Sequence, residues 1–242
     1  MSINPKHYFL REEIPIAEEL LGLADDLRKE FLEYHQDFID GDFIKGTPYR
    51  NVAYDTNTLQ SERDAWKTDG IKYQWAQKRI LDDKSSNPEI LARYKTATAL
   101  TKKYADVCPV SSYSILEKNS IIKRHVGSEN MSGETIRIHI PLYVPEGDIF
   151  LETEGVEIDW SDIFGFANQY IHSAHNYSNT RRLVYLIDIK RKYLGLPRAE
   201  ICNLHQRLKT WPPFVRGQFP KQYHTKQLQG LSTSTNVPPT SF

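Results

Sequence analysis

The 242-residue sequence predicts a mostly-β fold with helices on its N-terminal side, and three observations predict it. Two stretches before residue 105 repeat apolar residues every three or four positions, the period of a helix with one buried face. Beyond that point the pattern changes to short strand-like runs. Gly127, Gly133, Gly147 and Gly155 punctuate those runs as turn residues do. Helices followed by closely spaced strands imply a sandwich or barrel with the helices packed against it.

Taken in order, Ile14 to Phe38 reads as the first helix, with Ile16, Leu20, Leu23, Ala24, Leu27, Phe31 and Phe38 on one face. Its acidic start, Glu12 and Glu13, suits the positive end of the helix dipole, and Gly41 is the expected stop. Tyr49 to Tyr54 reads as a strand at the edge of the main sheet. Ser61 to Leu81, which contains Trp66 and Trp75, has only partial helical spacing. A second helix is expected from Pro88, a good first-turn residue, to Tyr104, with Ile90, Leu91, Tyr94, Ala97 and Leu100 on one side. Strands are expected at Ser111–Leu116, Ser120–Arg124, Thr135–Val144, Ile149–Leu151 and Arg182–Ile189. Arg198 to Leu208 reads as a short helix ending before Trp211-Pro212-Pro213. The expected organisation is a helical N-terminal region over 1–105, a strand-rich core over 106–192, a C-terminal extension over 193–229 and a disordered Pro/Ser/Thr-rich tail over 230–242.

Composition narrows the class. Lys plus Arg and Asp plus Glu number 31 each, so no charge excess points to nucleic acid or an acidic membrane surface. Two cysteines, Cys108 and Cys202, fit free thiols in a reducing compartment better than a disulfide scaffold. With no apolar leader after the N-terminus and no apolar run of membrane-spanning length, the expectation is a soluble, cytoplasmic protein.

The chemistry concentrates between Ile121 and Ile189. His125 and His172 are candidates to share a metal, since neutral imidazole is a common ligand for iron, zinc, copper and nickel. Arg137 and His139 fall on one face of an expected strand. Arg182 heads the apolar run Leu183-Val-Tyr-Leu-Ile187, and a buried guanidinium needs a planar anionic partner. Two partners stand open: a protein acid such as Asp188 or Glu152, or the carboxylate of a co-substrate held over a metal. His175 follows His172 by three positions, so on a strand it faces the other way; it is a candidate for a structural or substrate-facing role at the rim. His205 and His224 have no spacing partner and read as surface histidines.

Three ordered blocks carry a resemblance: Ile121-Ile-Lys-Arg-His125-Val-Gly127, then Ile136-Arg137-Ile-His139-Ile-Pro-Leu142, then His172-Ser-Ala-His-Asn-Tyr-Ser-Asn-Thr-Arg-Arg182-Leu-Val-Tyr-Leu-Ile-Asp188. Over roughly residues 110–190 the chain resembles the aspartyl/asparaginyl β-hydroxylase family, and through the same blocks it is similar to bacterial proline hydroxylases. The resemblance implies a double-stranded β-helix (jelly roll, cupin-like) core and a 2-oxoglutarate- and Fe(II)-dependent oxygenase. Such an enzyme would hydroxylate an amino acid or peptidyl side chain, consuming O2 and forming succinate and CO2. It further implies that His125 and His172 bind the iron, that Arg182 pairs with the distal carboxylate of 2-oxoglutarate, and that Arg137 and His139 line the same pocket.

Two departures qualify that pattern. Many relatives place an Asp two residues after the first histidine and so complete a two-His-one-carboxylate triad. Here Gly127 stands there and leaves an open coordination position to water, an anion, or a carboxylate such as Glu129. The β-hydroxylases resemble this chain in that glycine and still hydroxylate. Related halogenases also lack the Asp and bind chloride in its place, which makes halogenation the alternative activity; a non-catalytic β-helix binding protein is a second alternative. The other departure is Trp160-Ser-Asp-Ile-Phe-Gly-Phe-Ala-Asn168-Gln-Tyr-Ile171, which lacks the usual turn glycine and acidic pair before the distal histidine. Asn168 is the candidate hydrogen-bond acceptor for His172. Glu129 and Asn130, just past the first ligand, are the candidate substrate contacts together with His175.

Overall fold

The computed structural model describes residues 6–36, 38, 50–51, 75–81, 88–125 and 133–197. The expected helix Arg198–Leu208, the tail, Gly127, Glu129, Asn130, Trp66, Trp211, Cys202, His205 and His224 lie outside the described residues. Strands β1 (Tyr8–Leu10), β2 (Arg50–Asn51) and β3 (Trp75–Leu81) flank helices α1 (Ala17–Gly22) and α2 (Ala24–Tyr34). Helices α3 (Pro88–Arg93) and α4 (Lys95–Lys103) come next. The chain then runs through β4 (Ser111–Leu116), β5 (Ser120–His125), β6 (Thr135–Tyr143) and β7 (Ile149–Thr153). It ends with β8 (Val156–Asp159), β9 (Phe164–Phe166), β10 (His172–Asn176) and β11 (Arg182–Lys190).

Both sheets are antiparallel. One has seven strands in the order β1-β9-β6-β11-β4-β3-β2, the other four in the order β5-β10-β7-β8. From β4 to β11 the chain passes back and forth between them, broken only by the β7–β8 hairpin within the smaller sheet. This winding makes the core a double-stranded β-helix. The hairpin turns through Glu154 and Gly155, both at positive φ (49° and 83°), as a two-residue turn joining Thr153 to its partner Val156 requires.

Side-chain alternation along the large sheet sorts its residues into two cores. Tyr113, Ile115, Ile136, Ile138, Ile140, Leu183, Tyr185, Ile187 and Ile189 join Leu20, Leu27, Phe31, Tyr94 and Leu100 of the helices. Leu116, Phe164, Phe166, Val184 and Leu186 face the other way and meet Ile149, Leu151, Ile158 and Ala174 of the small sheet. Gly165 lets β9 lie close beneath the helices: a Cβ there would meet Ile136 Cδ1 at 3.0 Å and Ile14 Cδ1 at 3.5 Å. Tyr113 ties the layers together, its single hydroxyl proton shared between a Glu30 carboxylate oxygen at 3.0 Å and the Leu27 carbonyl at 3.2 Å. A buried ion pair of Arg181 Nε with Glu117 at 2.8 Å, and a hydrogen bond from Arg181 to the Phe38 carbonyl, dock the end of the first helical region.

Several boundaries differ from expectation. The first helical stretch is two helices, hinged at Leu23 after Gly22, the weakest helix former of the run. The second breaks at Tyr94, whose ψ of 78° leaves the helix. There its buried hydroxyl meets His35 Nε2 at 2.7 Å. Residues 75–81, with their partial helical spacing, form β3, which pairs with β4 and carries the edge strand β2. Strands β8, β9 and β10 were not among the expected ones. Phe164–Phe166 is too short to display a period, and His172-Ser-Ala-His-Asn176 is polar on both faces although every residue in it is buried.

Candidate active site

The inward faces of β4, β6 and β11 build the site from residues the strand period forces to one side. Arg182 opens β11 opposite Leu116, with 1% of its surface exposed. Its Nη2 lies 3.4 Å from Ser114 Oγ, and its guanidinium carbon sits 4.5 Å over the ring of Trp160. Its Nε has no hydrogen-bond partner, and among the described residues no carboxylate pairs with it. Burial alone pulls its pKa down to about 9, so at neutral pH it is an uncompensated cation inside the barrel. Both protein acids that stood open as its partner are engaged elsewhere. Asp188 accepts from Arg137, and Glu152 accepts from the Gly155 N–H at 2.8 Å and from Ser173 Oγ at 3.0 Å.

His139 comes next along the interior, on β6 opposite Leu186. The indole N–H of Trp160 donates to its Nδ1 at 2.9 Å, which puts the imidazole proton on Nε2. That Nε2 is buried without a partner. Burial, then the positive charges of Arg182 and Arg137, hold the His139 pKa well below the ordinary histidine range, so the ring is neutral. Phe166 links this level to the next, its ring 5.2 Å from His139 and 4.9 Å from His172.

His172 begins β10. Its Nδ1 lies 2.8 Å from the carbonyl of Tyr170, which accepts the Nδ1–H and so leaves the lone pair on Nε2, the state a metal ligand requires. A backbone carbonyl thus fills the orienting role for which the sequence offered Asn168. The antiparallel register sets His125 of β5 directly opposite His172, with a bulge between His172 and Ala174. Among the described residues no group of three His, Cys, Asp or Glu could hold a metal ion.

Arg137 stands across from Asp188 and holds it in a two-pronged pair, Nε–Oδ1 at 2.7 Å and Nη2–Oδ2 at 2.8 Å. Its charge is therefore balanced, whereas that of Arg182 is not. His175 lies on the face of β10 away from His172, stacked on Phe150 at 4.6 Å with its nitrogens against Ser173 Oγ (2.9 Å) and Tyr177 OH (3.1 Å). The structure thus gathers Arg137, His139, His172 and Arg182 around one interior, sets the backbone of His125 beside His172, and leaves His175 outside. Sequence reasoning overlooked Trp160 and Ser114. The signal for Ser114 was available in the alternation Ser112, Ser114, Leu116 against Tyr113 and Ile115.

The fold is a double-stranded β-helix whose interior carries, among the described residues, a cation with no carboxylate partner at one level and a histidine with its Nδ1 proton committed at another. The model of the aspartyl/asparaginyl beta-hydroxylase family matches residues 25–192, and the chain belongs to that family of hydroxylase-type oxygenases. No curated protein matches it by sequence. Among solved structures it is similar to AviO1 from Streptomyces viridochromogenes Tue57, at 12% identity over 81% of this chain and 94% of that one, with a TM-score of 0.42. It is also similar to a prolyl hydroxylase of Trichoplax adhaerens in complex with a hypoxia inducible factor peptide fragment (12% identity, 72% and 81% covered, TM-score 0.39). A third is an oxidoreductase of the 2OG-Fe(II) oxygenase family from Burkholderia pseudomallei (12% identity, 58% and 82% covered, TM-score 0.35).

Proposed function

We propose that this chain is a 2-oxoglutarate- and Fe(II)-dependent oxygenase that hydroxylates an amino acid, free or within a peptide. The observation that carries the proposal is Arg182, fully buried, positively charged and, among the described residues, without a carboxylate partner. A buried charge is tolerated only when paired, and a dicarboxylate supplies the missing partner. His172, with its proton committed to the Tyr170 carbonyl, and His125 opposite it would hold the metal. Gly127 would leave a coordination position open, and Glu129 and Asn130 would meet the substrate beyond it. The iron, once bound, supplies O2 activation coupled to the conversion of 2-oxoglutarate to succinate and CO2.

The protein's own contribution is placement. Arg182 fixes the far end of the co-substrate, Ser114 and His139 offer further hydrogen-bonding groups along its length, and the aromatic rings of Trp160, Phe164 and Phe166 exclude water. Arg137, balanced by Asp188, lines the same interior. Family membership supports the hydroxylation outcome over the halogenase alternative.

Anaerobic addition of Fe(II) and 2-oxoglutarate should produce the visible charge-transfer band of the chelate. Arg182→Ala should weaken 2-oxoglutarate binding by about 2 to 5 kcal/mol, the cost of truncating a buried charge-assisted pair. Unchanged affinity in that variant would refute the assignment of the anchor. Products that gain one oxygen atom, in the presence of chloride or bromide, count for hydroxylation, and halogenated products count against it.

A further inference from the structure

We propose that Trp160 is the positioning residue of the co-substrate pocket: it commits His139 to presenting an Nε2–H donor to the same bound dicarboxylate that Arg182 anchors. The inference rests on the co-substrate reading above but adds a residue and a role to it. Trp160 follows the end of β8, with 1% of its surface exposed, and serves two neighbours at once. Its indole N–H ends on His139 Nδ1 at 2.9 Å, with the planes of the two rings within 15° of parallel. The guanidinium of Arg182 lies over its face at 4.5 Å. An indole N–H can only donate, so Nδ1 must carry the lone pair and Nε2 the proton. Phe164 and Phe166 complete the surroundings of the imidazole at 5.0 and 5.2 Å, and neither can select a tautomer.

Among the described residues two buried N–H groups of Trp160's neighbours then stand without hydrogen-bond partners, Nε of Arg182 and Nε2 of His139. Leaving one such buried group unmade is costly, so each is a donor that a ligand's acceptors could satisfy. Ser112 Oγ, a third buried group with no partner, lies on β4 across Leu186 from His139. A bound dicarboxylate accepts from the arginine at one end and from the imidazole further along. Phenylalanine in place of Trp160 keeps an aromatic ring beneath Arg182 but deletes the N–H.

The test uses protein loaded with Zn(II), which does not turn over, with 15N-labelled histidine observed by NMR and 2-oxoglutarate affinity measured by calorimetry. In the parent protein His139 should show an unprotonated Nδ1 and a protonated Nε2, and the Nε2–H signal should move on addition of 2-oxoglutarate. Trp160→Phe should show a mixture of tautomers and bind 2-oxoglutarate about tenfold more weakly, the value of one hydrogen bond to a charged group. An unchanged tautomer with unchanged affinity in Trp160→Phe overturns the proposal. Should that variant fail to fold, an Nε2–H signal in the parent that ignores 2-oxoglutarate overturns it equally. Arg182→Ala separates the two levels. If it binds as well as the parent, the co-substrate reading falls; if it loses binding while Trp160→Phe does not, only the role of Trp160 falls.

Discussion

Two arginines share the interior of this barrel, and their partners make them unlike. Arg137 is held by both oxygens of Asp188, and each residue is almost wholly enclosed. Removing one half of such a pair strands the other charge, so Asp188→Ala should lower the unfolding free energy by about 3 to 5 kcal/mol in urea titrations. Replacing both residues with apolar side chains of similar volume, as in Arg137→Met with Asp188→Leu, should recover most of that loss. A double variant no more stable than Asp188→Ala would mean that the pair, rather than the stranded charge, carries the stability. Arg182 obeys the opposite logic. With no acidic partner among the described residues, its truncation to alanine relieves a desolvated charge, so the cost should fall on co-substrate binding and little on the fold.

At the scale of elements, the closest tolerance lies where β9 passes beneath the helices. A methyl at Gly165 would press on the tip of the flexible Ile136 side chain at 3.0 Å, which can swing away, and would touch Ile14 and Ile138 at ordinary contact distances of 3.5 and 3.6 Å, which leave no room for the further carbons of a branched side chain. Gly165→Ala should therefore be nearly neutral and Gly165→Val should cost about 1 to 3 kcal/mol, measured by thermal or urea unfolding. Elements also show what was legible in the sequence. The long strands β4, β6 and β11 were, because alternation over six to nine residues leaves little ambiguity about which side chains face inward. From that alternation follow the shared face of Arg137 and His139 and the burial of Arg182. The breaks at Leu23 and Tyr94 were not legible, since both residues belong to the apolar stripe and the break answers to packing against the sheet. Nor was β10, whose buried polar residues satisfy one another across strands through pairings no local pattern encodes, such as Ser173 with Glu152. Trp160 escaped notice for the same reason: its importance lies in what stands across the barrel from it.

For the molecule as a whole, the buried cation couples ligand to fold. Burial lowers the pKa of Arg182 from the ordinary arginine value, yet a guanidinium keeps its proton throughout the range in which the protein is folded, so the cost of the desolvated charge is present at every such pH. A bound dicarboxylate offsets that cost. Adding 2-oxoglutarate at a hundred times its dissociation constant should thus raise stability by about 2.7 kcal/mol. Calorimetric melting with and without the ligand measures this, and an Arg182→Ala variant that gains as much from the ligand as the parent would contradict it. Among the described residues no helix is long and apolar enough to cross a membrane.

The strand β11 separates two worlds by the thickness of one backbone, with Leu183, Tyr185, Ile187 and Ile189 turned to the helices and Arg182, Val184, Leu186 and Asp188 turned to the pocket. Substitution tolerance along it should therefore read as two interleaved scripts. In a saturation scan of positions 182–189 scored separately for protein abundance and for turnover, the odd positions should fail first in abundance. Arg182 alone among the even positions should lose turnover at near-normal abundance, and an inheritable change of substrate or co-substrate preference along this strand should enter at even positions only.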